Sequence, residues 1–547
     1  MAFPQERWAG LARSAANEAP LSPLSFLRRT ARVWPQRTAV IDGDRRLTWG
    51  AFADRARRLA GLLAAQGVER GDVVAVLAPN VPVILEAHFG IPLAGAVINP
   101  LNTRLDAPAL AFILAHSEAR VLIVHASLAA VAREALAELP PGLTVIEVRD
   151  GDGEGEGVIA GALDYETALA AAVPAAWRLP DDEWEPIAVN YTSGTTGNPK
   201  GVVLHHRGAW LAAIGNMHTL GLTQDSVYLW TLPAFHCNGW AGTWAVAAAG
   251  ATHVCLPRVD PKEIYRLIAA HGVTHLCAAP VVLTMLLHAP EEHVIRPARP
   301  VLAGTGGAAP SSTTLRTAED RGFRVLHMYG MTESYGPTTL CADQPEWAAA
   351  PAEQVYAAKA RQGVPLVQVE DATVLDRITG LPVAADGATL GEVAFRGNGV
   401  MLGYLKNPAA TAEALRDSWL LTGDLGVLHP DGYIEVKDRA KDIIISGGEN
   451  ISSLEVEEAL TRHPAVLEAA VVAEPHPFWG ETPAAFVTLR PGAPAPTAEA
   501  LIAWTRDHLA HFKAPRRIVF RELPKTATGK IQKQVLRAEA RHLAAAG

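Results

Sequence analysis

Residues 191–202 read Y-T-S-G-T-T-G-N-P-K-G-V. Three glycines there let backbone amides approach an anion, four Ser/Thr hydroxyls can donate to its oxygens, and Lys200 adds a point charge. The common phosphate-loop pattern, G-x-x-x-x-G-K-[ST], does not fit, because Pro199 precedes the lysine and Gly201 follows it. On composition alone a flexible turn stays open. Residues 304–309, G-T-G-G-A-A, match G-x-G-x-x-G/A after a short strand at 300–303. Pro310 follows at once, and no acidic residue ends a second strand about 20 residues on, which excludes a dinucleotide site. Backbone packed closely against a flat ligand survives that exclusion.

Three further stretches carry reactive groups. Residues 327–333, H-M-Y-G-M-T-E, place a ring, a hydroxyl and a carboxylate together, suited to a base, a phosphate and Mg2+. They read equally as a strand end and a helix cap. Asp424, in L-T-G-D, could accept both hydroxyls of a ribose or merely close a turn. In P-K-T-A-T-G-K-I-Q-K, residues 524–533, a lysine at a Gly turn could swing into a site or belong to a basic surface turn.

These stretches need rigid elements beneath them. Strand-like and helix-like patterns alternate from Ser25: a helix over 47–67 with Arg55, Arg57 and Arg58 on the face opposite its apolar residues, a strand at 73–77, a helix over 79–94 and a strand at 119–124. The alternation predicts an α/β fold with parallel sheets buried between helices. After Thr389 the texture changes to short antiparallel strands, at 391–396 and 432–436. From Arg439 onward the chain is long enough for a separate small domain. The acidic, Gly-rich residues 150–161 miss the calcium-loop spacing and read as a solvated loop.

Bulk properties narrow the class. A chain of 547 residues exceeds one core, and 49% hydrophobic with 19% charged residues is ordinary globular composition. A net charge of −9 gives no support for a nucleic-acid or anionic-membrane surface. Four scattered cysteines without a C-x-x-C pair argue against zinc or a disulfide framework and suggest a reducing, cytoplasmic setting. The N-terminus lacks the pattern of a signal peptide, the final A-A-A-G carries no peroxisomal or prenyl signal, and the most apolar stretches hold charged residues, Gly or Pro unsuited to a membrane span.

Taken in order, Y-T-S-G-T-T-G-N-P-K-G, Y-G-M-T-E, T-G-D, D-R-A-K-D-I-I-I-S-G-G-E-N-I and P-K-T-A-T-G-K resemble the adenylate-forming (AMP-binding) superfamily, from about Ser25 to Arg537. The resemblance implies a large N-terminal domain, 1–437, of stacked sheets with helices, and a small mobile C-terminal α+β domain, 438–547, hinged at Asp438. It implies that Thr192, Ser193, Gly194, Thr195, Thr196, Gly197 and Lys200 surround the β- and γ-phosphates of ATP. Gly306, Gly307 and Ala308 would flank adenine and Tyr329 would stack on it. Thr332 would touch the α-phosphate and Glu333 hold Mg2+, while Asp424, assisted by Arg439, would accept the ribose hydroxyls. Lys530 would reach the carboxylate and α-phosphate during adenylation. Ser446, Gly447 and Gly448 would leave room for the pantetheine arm of CoA.

Residues 232–240, L-P-A-F-H-C-N-G-W, resemble the family's gate segment. The resemblance lines an acyl pocket with His236, Cys237, Trp240 and Gly304, and counts His236 with Lys530, Thr332 and Glu333 among the catalytic groups. His236 stands where amino-acid adenylation domains carry an aspartate for the α-ammonium, which disfavours an amino acid. Only 17 residues follow Lys530, which is not the expectation for a peptide-synthetase module with its carrier domain. The expectation is a cytoplasmic acyl-CoA ligase for a short- to medium-chain fatty or arylalkyl acid, using ATP, Mg2+ and CoA, with room for a homodimer. An enzyme loading a carrier protein and an inactive nucleotide sensor are the competing readings.

Overall fold

The computed structural model describes residues 11, 13–149, 159–192, 199–306, 312–439, 442–447, 449–525 and 531–546. The loop expected at 150–161 falls largely outside these residues. Val73–Leu77, V-V-A-V-L, forms the strand its β-branched run predicts, parallel to Val97–Pro100 on one side and Ala119–His125 on the other. Its side chains alternate between two cores. Val74 and Val76 join Phe52, Leu59 and Phe89 from the helices Trp49–Ala65 and Pro82–Leu93. Ala75 and Leu77 join Leu110, Leu114 and Ala132 from the helices Ala107–His116 and Ala129–Ala137. A parallel strand buried on both faces is what the expected α/β class requires.

This eight-stranded sheet ends in a hairpin, Pro186–Thr192 against Lys200–His205, with Gly403–Tyr404 added at the edge. A nine-stranded sheet carries His275–Ala278, Val301–Thr305 and Phe323–Met331 in parallel; the last then pairs antiparallel with Gly336–Leu340. A third, five-stranded sheet is antiparallel and includes Gly391–Arg396, Trp419–Leu428 and Ile434–Arg439. The strand expected at 432–436 thus starts and ends later, drawing Asp438 and Arg439 into the ladder.

The fourth sheet, also five-stranded, uses only residues from Ile444 onward and alternates in the same way. Val471, Ala485 and Val487 pack with Val456 and Leu501, whereas Val472, Ala484 and Phe486 pack with Leu536 and Ala540 of the helix Lys533–Ala546. This is the smaller C-terminal α+β part.

Arg55, opposite the apolar face of its helix, is itself largely buried. Its guanidinium is 16% exposed and holds Glu86, which is fully buried, at 2.6 Å and Glu166 at 2.7 Å, with Tyr165 donating to Glu86. A buried carboxylate needs that pairing. All four cysteines are unpaired and buried. Among the described residues no helix is long and apolar enough to cross a membrane.

Candidate active site

A first group of candidate residues sits where strands of the two large sheets begin or end. Thr192 and Lys200 are paired across the hairpin, so Lys200 is fixed at the base of the donor-rich connection. Its ammonium lies 4.8 Å from the centre of the Tyr404 ring. The Tyr404 hydroxyl in turn donates to Glu333 Oε1 at 2.7 Å. Glu333 lies in the short turn Thr332–Ser334 that follows the strand Phe323–Met331, and is 7% exposed. Burial pushes its carboxyl above the ordinary range, while the Tyr404 hydroxyl and the charges of Lys200 and Arg439 act the other way. Nothing in the sequence singles out Tyr404; an aromatic hydroxyl after Gly403 on an edge strand is the only trace.

A second group forms around Asp424. Its Oδ2 accepts the Tyr329 hydroxyl at 2.6 Å, and its Oδ1 lies 3.3 Å from Arg439 Nε, the residue opposite it in the ladder. Burial and the neighbouring carboxylate hold the Tyr329 phenol far above its usual range. The Tyr329 ring lies 5.7 Å from that of Phe395, tilted by 57°. Next in the strand, Asp438 is 1% exposed; its Oδ1 accepts from Arg439 N at 2.7 Å and its Oδ2 from Ser453 N at 2.6 Å. Asp438 therefore ties the third sheet to the first helix of the C-terminal part.

The gate segment has an unusual backbone. Cys237, Asn238, Gly239, Trp240 and Ala241 all have positive φ, between 44° and 58°, a single left-handed turn of which four residues are not glycine. At about 1–2 kcal/mol per L-residue this conformation persists only if its surroundings impose it. Three asparagines do so. Asn80 accepts from Ala234 N and donates to the carbonyls of Trp230 and Leu232; Asn190 donates to Asn238 Oδ1 at 2.5 Å; Asn216 donates to the Trp240 carbonyl at 2.5 Å. The turn brings Cys237 Sγ to 3.1 Å from Thr332 Oγ1 and lays Trp240 against Gly306 and Gly336. A Cβ on Gly304 would lie 2.7 Å from Met328 Cε and 2.8 Å from Cys277 Sγ. His236 is half-buried at the start of the turn.

The structure thus joins Lys200, paired with Thr192, to Glu333 through Tyr404, joins Tyr329 and Arg439 to Asp424, sets Cys237 beside Thr332 and lays Trp240 against Gly306, while Gly304 packs over Met328 and Cys277. Ser446 and Gly447 lie elsewhere, on the C-terminal sheet, where Gly447 N donates to the Trp479 carbonyl. Ser193, Gly194, Thr195, Thr196, Gly197, Gly307, Ala308, Gly448 and Lys530 lie outside the described residues. Among the described residues no three His, Cys, Asp or Glu side chains gather as a metal cage. One buried carboxylate, Glu333, on which the charge of Lys200 acts, suits Mg2+, which is typically held by one or two carboxylates together with substrate phosphates.

Comparison with known proteins agrees. A model of AMP-binding enzymes matches residues 27–405, and one of the AMP-binding enzyme C-terminal domain matches 455–530. An acetate–CoA ligase of Humulus lupulus is 48% identical over 98% of this chain and 97% of its own length. A peroxisomal acetate/butyrate–CoA ligase of Arabidopsis thaliana is 48% identical over 97% of both chains. Among solved structures, an anthranilate CoA ligase in complex with anthranoyl-AMP superimposes with a TM-score of 0.85 at 27% identity, over 98% of this chain and 100% of that one. The peroxisomal relatives, which include a butyrate–CoA ligase of Arabidopsis thaliana, overturn the cytoplasmic placement. Unpaired cysteines are compatible with a reducing setting and do not choose a compartment.

Proposed function

Because the chain belongs to the AMP-binding enzyme family and is an AMP-forming acyl-CoA synthetase, we propose that it activates short-chain aliphatic carboxylates in the cleft between Lys200, Glu333 and Asp424. ATP, Mg2+ and CoA are the cofactors of AMP-forming CoA ligases and so of this one. The observation that carries the assignment is the junction of two groups, Lys200–Tyr404–Glu333 and Tyr329–Asp424–Arg439, whose charges act on one another at Glu333. The short-chain reading draws on the acetate and acetate/butyrate ligases among the relatives.

In this reading Asp424 accepts the ribose hydroxyls and exchanges the Tyr329 hydroxyl for them, while the Tyr329 ring and Gly306 border the adenine. Lys200 and the loop of Thr192, Ser193, Gly194, Thr195, Thr196 and Gly197 hold the departing phosphates. Glu333 would hold Mg2+, which would offset phosphate charge when bound. A carboxylate oxygen of the acid attacks the α-phosphorus, the bond to the β-phosphate oxygen breaks, and pyrophosphate leaves. Lys530 and the Thr332 hydroxyl stabilise the charge that builds on the α-phosphate. Cys237 is not a nucleophile here: burial pushes its thiol up to about 12. The CoA thiol then attacks the acyl carbonyl, its proton passes to solvent, and AMP leaves. Residues 1–437 and 438–547 act as two bodies turning about Asp438, so that Lys530 gives way to Ser446, Gly447 and Gly448.

The test separates the half-reactions. Lys530→Ala abolishes acid-dependent ATP–pyrophosphate exchange and leaves CoA thioester formation from supplied acyl-AMP. Equal survival of both would remove Lys530 from the role given it, and no CoA thioester from any short aliphatic acid would sink the substrate class.

A further inference from the structure

We propose that Lys533 and Arg537, on one face of the helix Lys533–Ala546, anchor the segment carrying Lys530 to the hinge at Asp438 and so act as positioning residues for adenylation. The inference rests on the reading of Lys530 as the lysine that reaches the α-phosphate. It adds what fixes that lysine relative to the pivot.

The residues on either side of that segment are closed on one another. Lys525 and Ile531 face each other in an antiparallel bridge, and Gln532 N donates to the Pro524 carbonyl at 2.8 Å. The Gln532 side-chain amide donates to the Lys525 carbonyl at 3.0 Å. The chain therefore leaves the C-terminal part and rejoins it at one point, beside Lys533, which follows Lys530 by three positions.

From Lys533 a short chain of bonds leads to the pivot. Its ammonium, 14% exposed, donates to Ser453 Oγ at 2.5 Å and lies 2.7 Å from Glu457 Oε1. Ser453, at the start of the helix Ser453–Thr461, donates its backbone N–H to Asp438 Oδ2 at 2.6 Å. Four residues beyond Lys533, and so on the same helical face, Arg537 pairs with Asp442. Asp442 N donates to the Arg439 carbonyl, and the charge of Asp438 acts on Arg537 directly. One helix face thus holds the hinge at two places, residues 438 and 442.

These pairs are a poor way to stabilise a fold. Glu457 is 13% exposed and divides one oxygen between Lys533 and Val471 N, which donates to it at 2.7 Å. Desolvation of two such charges takes back most of their attraction, and apolar residues of the same volume would serve stability as well. What the pairs supply is register. A domain that turns about Asp438 delivers Lys530 only as accurately as the segment carrying it is fixed to that pivot, and a misplacement of about 1 Å at the reacting atoms can cost on the order of a hundredfold in rate. Neither Lys533 nor Arg537 touches a reacting atom in this reading.

The experiment measures two rates on each full-length variant, with the short aliphatic acid that the wild-type enzyme uses best. One is acid-dependent ATP–pyrophosphate exchange; the other is CoA thioester formation from supplied acyl-AMP. Lys533→Met slows exchange roughly tenfold to a hundredfold through kcat, and leaves the thioester step within about threefold of wild type. Lys533→Arg restores exchange, and Arg537→Met and Ser453→Ala show the same split to a smaller extent. Because Lys533→Met leaves Glu457 unpaired, the double variant Lys533→Met/Glu457→Gln is measured beside it and shows the same split; where either fails to fold, Ser453→Ala decides. Equal slowing of both half-reactions in the folded variants, or lost thermal stability with both rates unchanged, overturns the anchor. Lys530→Ala run in parallel separates the two readings. Exchange that survives in Lys530→Ala removes the role of Lys530 on which the anchor rests, whereas exchange abolished there and untouched in the Lys533 variants removes the anchor alone.

Discussion

Replacing Tyr404 with Phe isolates one hydrogen bond at the centre of the site. The hydroxyl donates to Glu333 Oε1 at 2.7 Å, and Glu333 is almost fully buried. Net of exchange with water, a hydrogen bond to a charged group is worth about 1.5–3 kcal/mol. Its loss lowers kcat/KM for MgATP roughly tenfold to a hundredfold, with the KM for the acid nearly unchanged. The phenyl ring still faces Lys200, so Tyr404→Leu costs a further ~0.5–1 kcal/mol for the exposed cation–ring contact. The sign of the pH effect follows from burial. Glu333 is already held above the ordinary carboxylate range, and the hydroxyl is the strongest of the influences opposing that shift. Without it the carboxyl rises further, and the working form is the carboxylate, so the acid limb of the pH–rate profile moves to higher pH. Stability follows the same linkage. A carboxyl raised on folding contributes its stability in full below the unfolded value, and loses it as pH rises through the folded one. The melting-temperature gap between wild type and Tyr404→Phe therefore widens across that window. Pyrophosphate exchange across pH, with a parallel Mn2+-binding titration by electron paramagnetic resonance, reads all of this. An unchanged acid limb with unchanged Mn2+ affinity would refute the coupling of Tyr404 to Glu333.

Two further substitutions probe the neighbouring groups. Asp424→Asn removes the charge facing Arg439 and one of two acceptors in front of Tyr329; the KM for ATP rises roughly tenfold or more, while the KM for CoA holds, as initial-rate kinetics will show. Gly330→Ala would place a Cβ 1.9 Å from the Gly336 carbonyl oxygen, so the strand pair carrying Tyr329 and Glu333 must separate; a loss of about 3 kcal/mol or more in chemical denaturation is expected.

Much of the scaffold is written locally. Val73–Leu77 and Gly391–Arg396 have the bounds their β-branched, turn-flanked runs suggest, and the helix expected at 47–67 spans Trp49–Ala65. Tyr329, Glu333 and Asp424 stand out by residue type and motif. What sequence spacing does not carry is contact between distant segments. Tyr404 meets Glu333 across 71 positions, and Asn216 and Asn190 hold a turn from a separate helix and strand. The left-handed run at 237–241 is equally invisible, since only Asn238 and Gly239 have residue types that favour it. Arg55 shows the same: helical periodicity sets it opposite the apolar face, and a buried Glu86 on another helix draws it in.

The four unpaired thiols make the molecule a reporter of its own breathing. Burial pushes Cys237 and Cys341 up to about 12 and Cys277 to about 11, and holds Cys255 well above the usual range, so none reacts while its surroundings stay closed. They are spread across distinct places: Cys237 in the gate turn, Cys277 beneath Gly304, Cys255 beside the edge of the nine-stranded sheet, Cys341 where Gly336–Leu340 ends. The order in which a thiol reagent modifies them is therefore a map of which region opens first, obtained without adding a label.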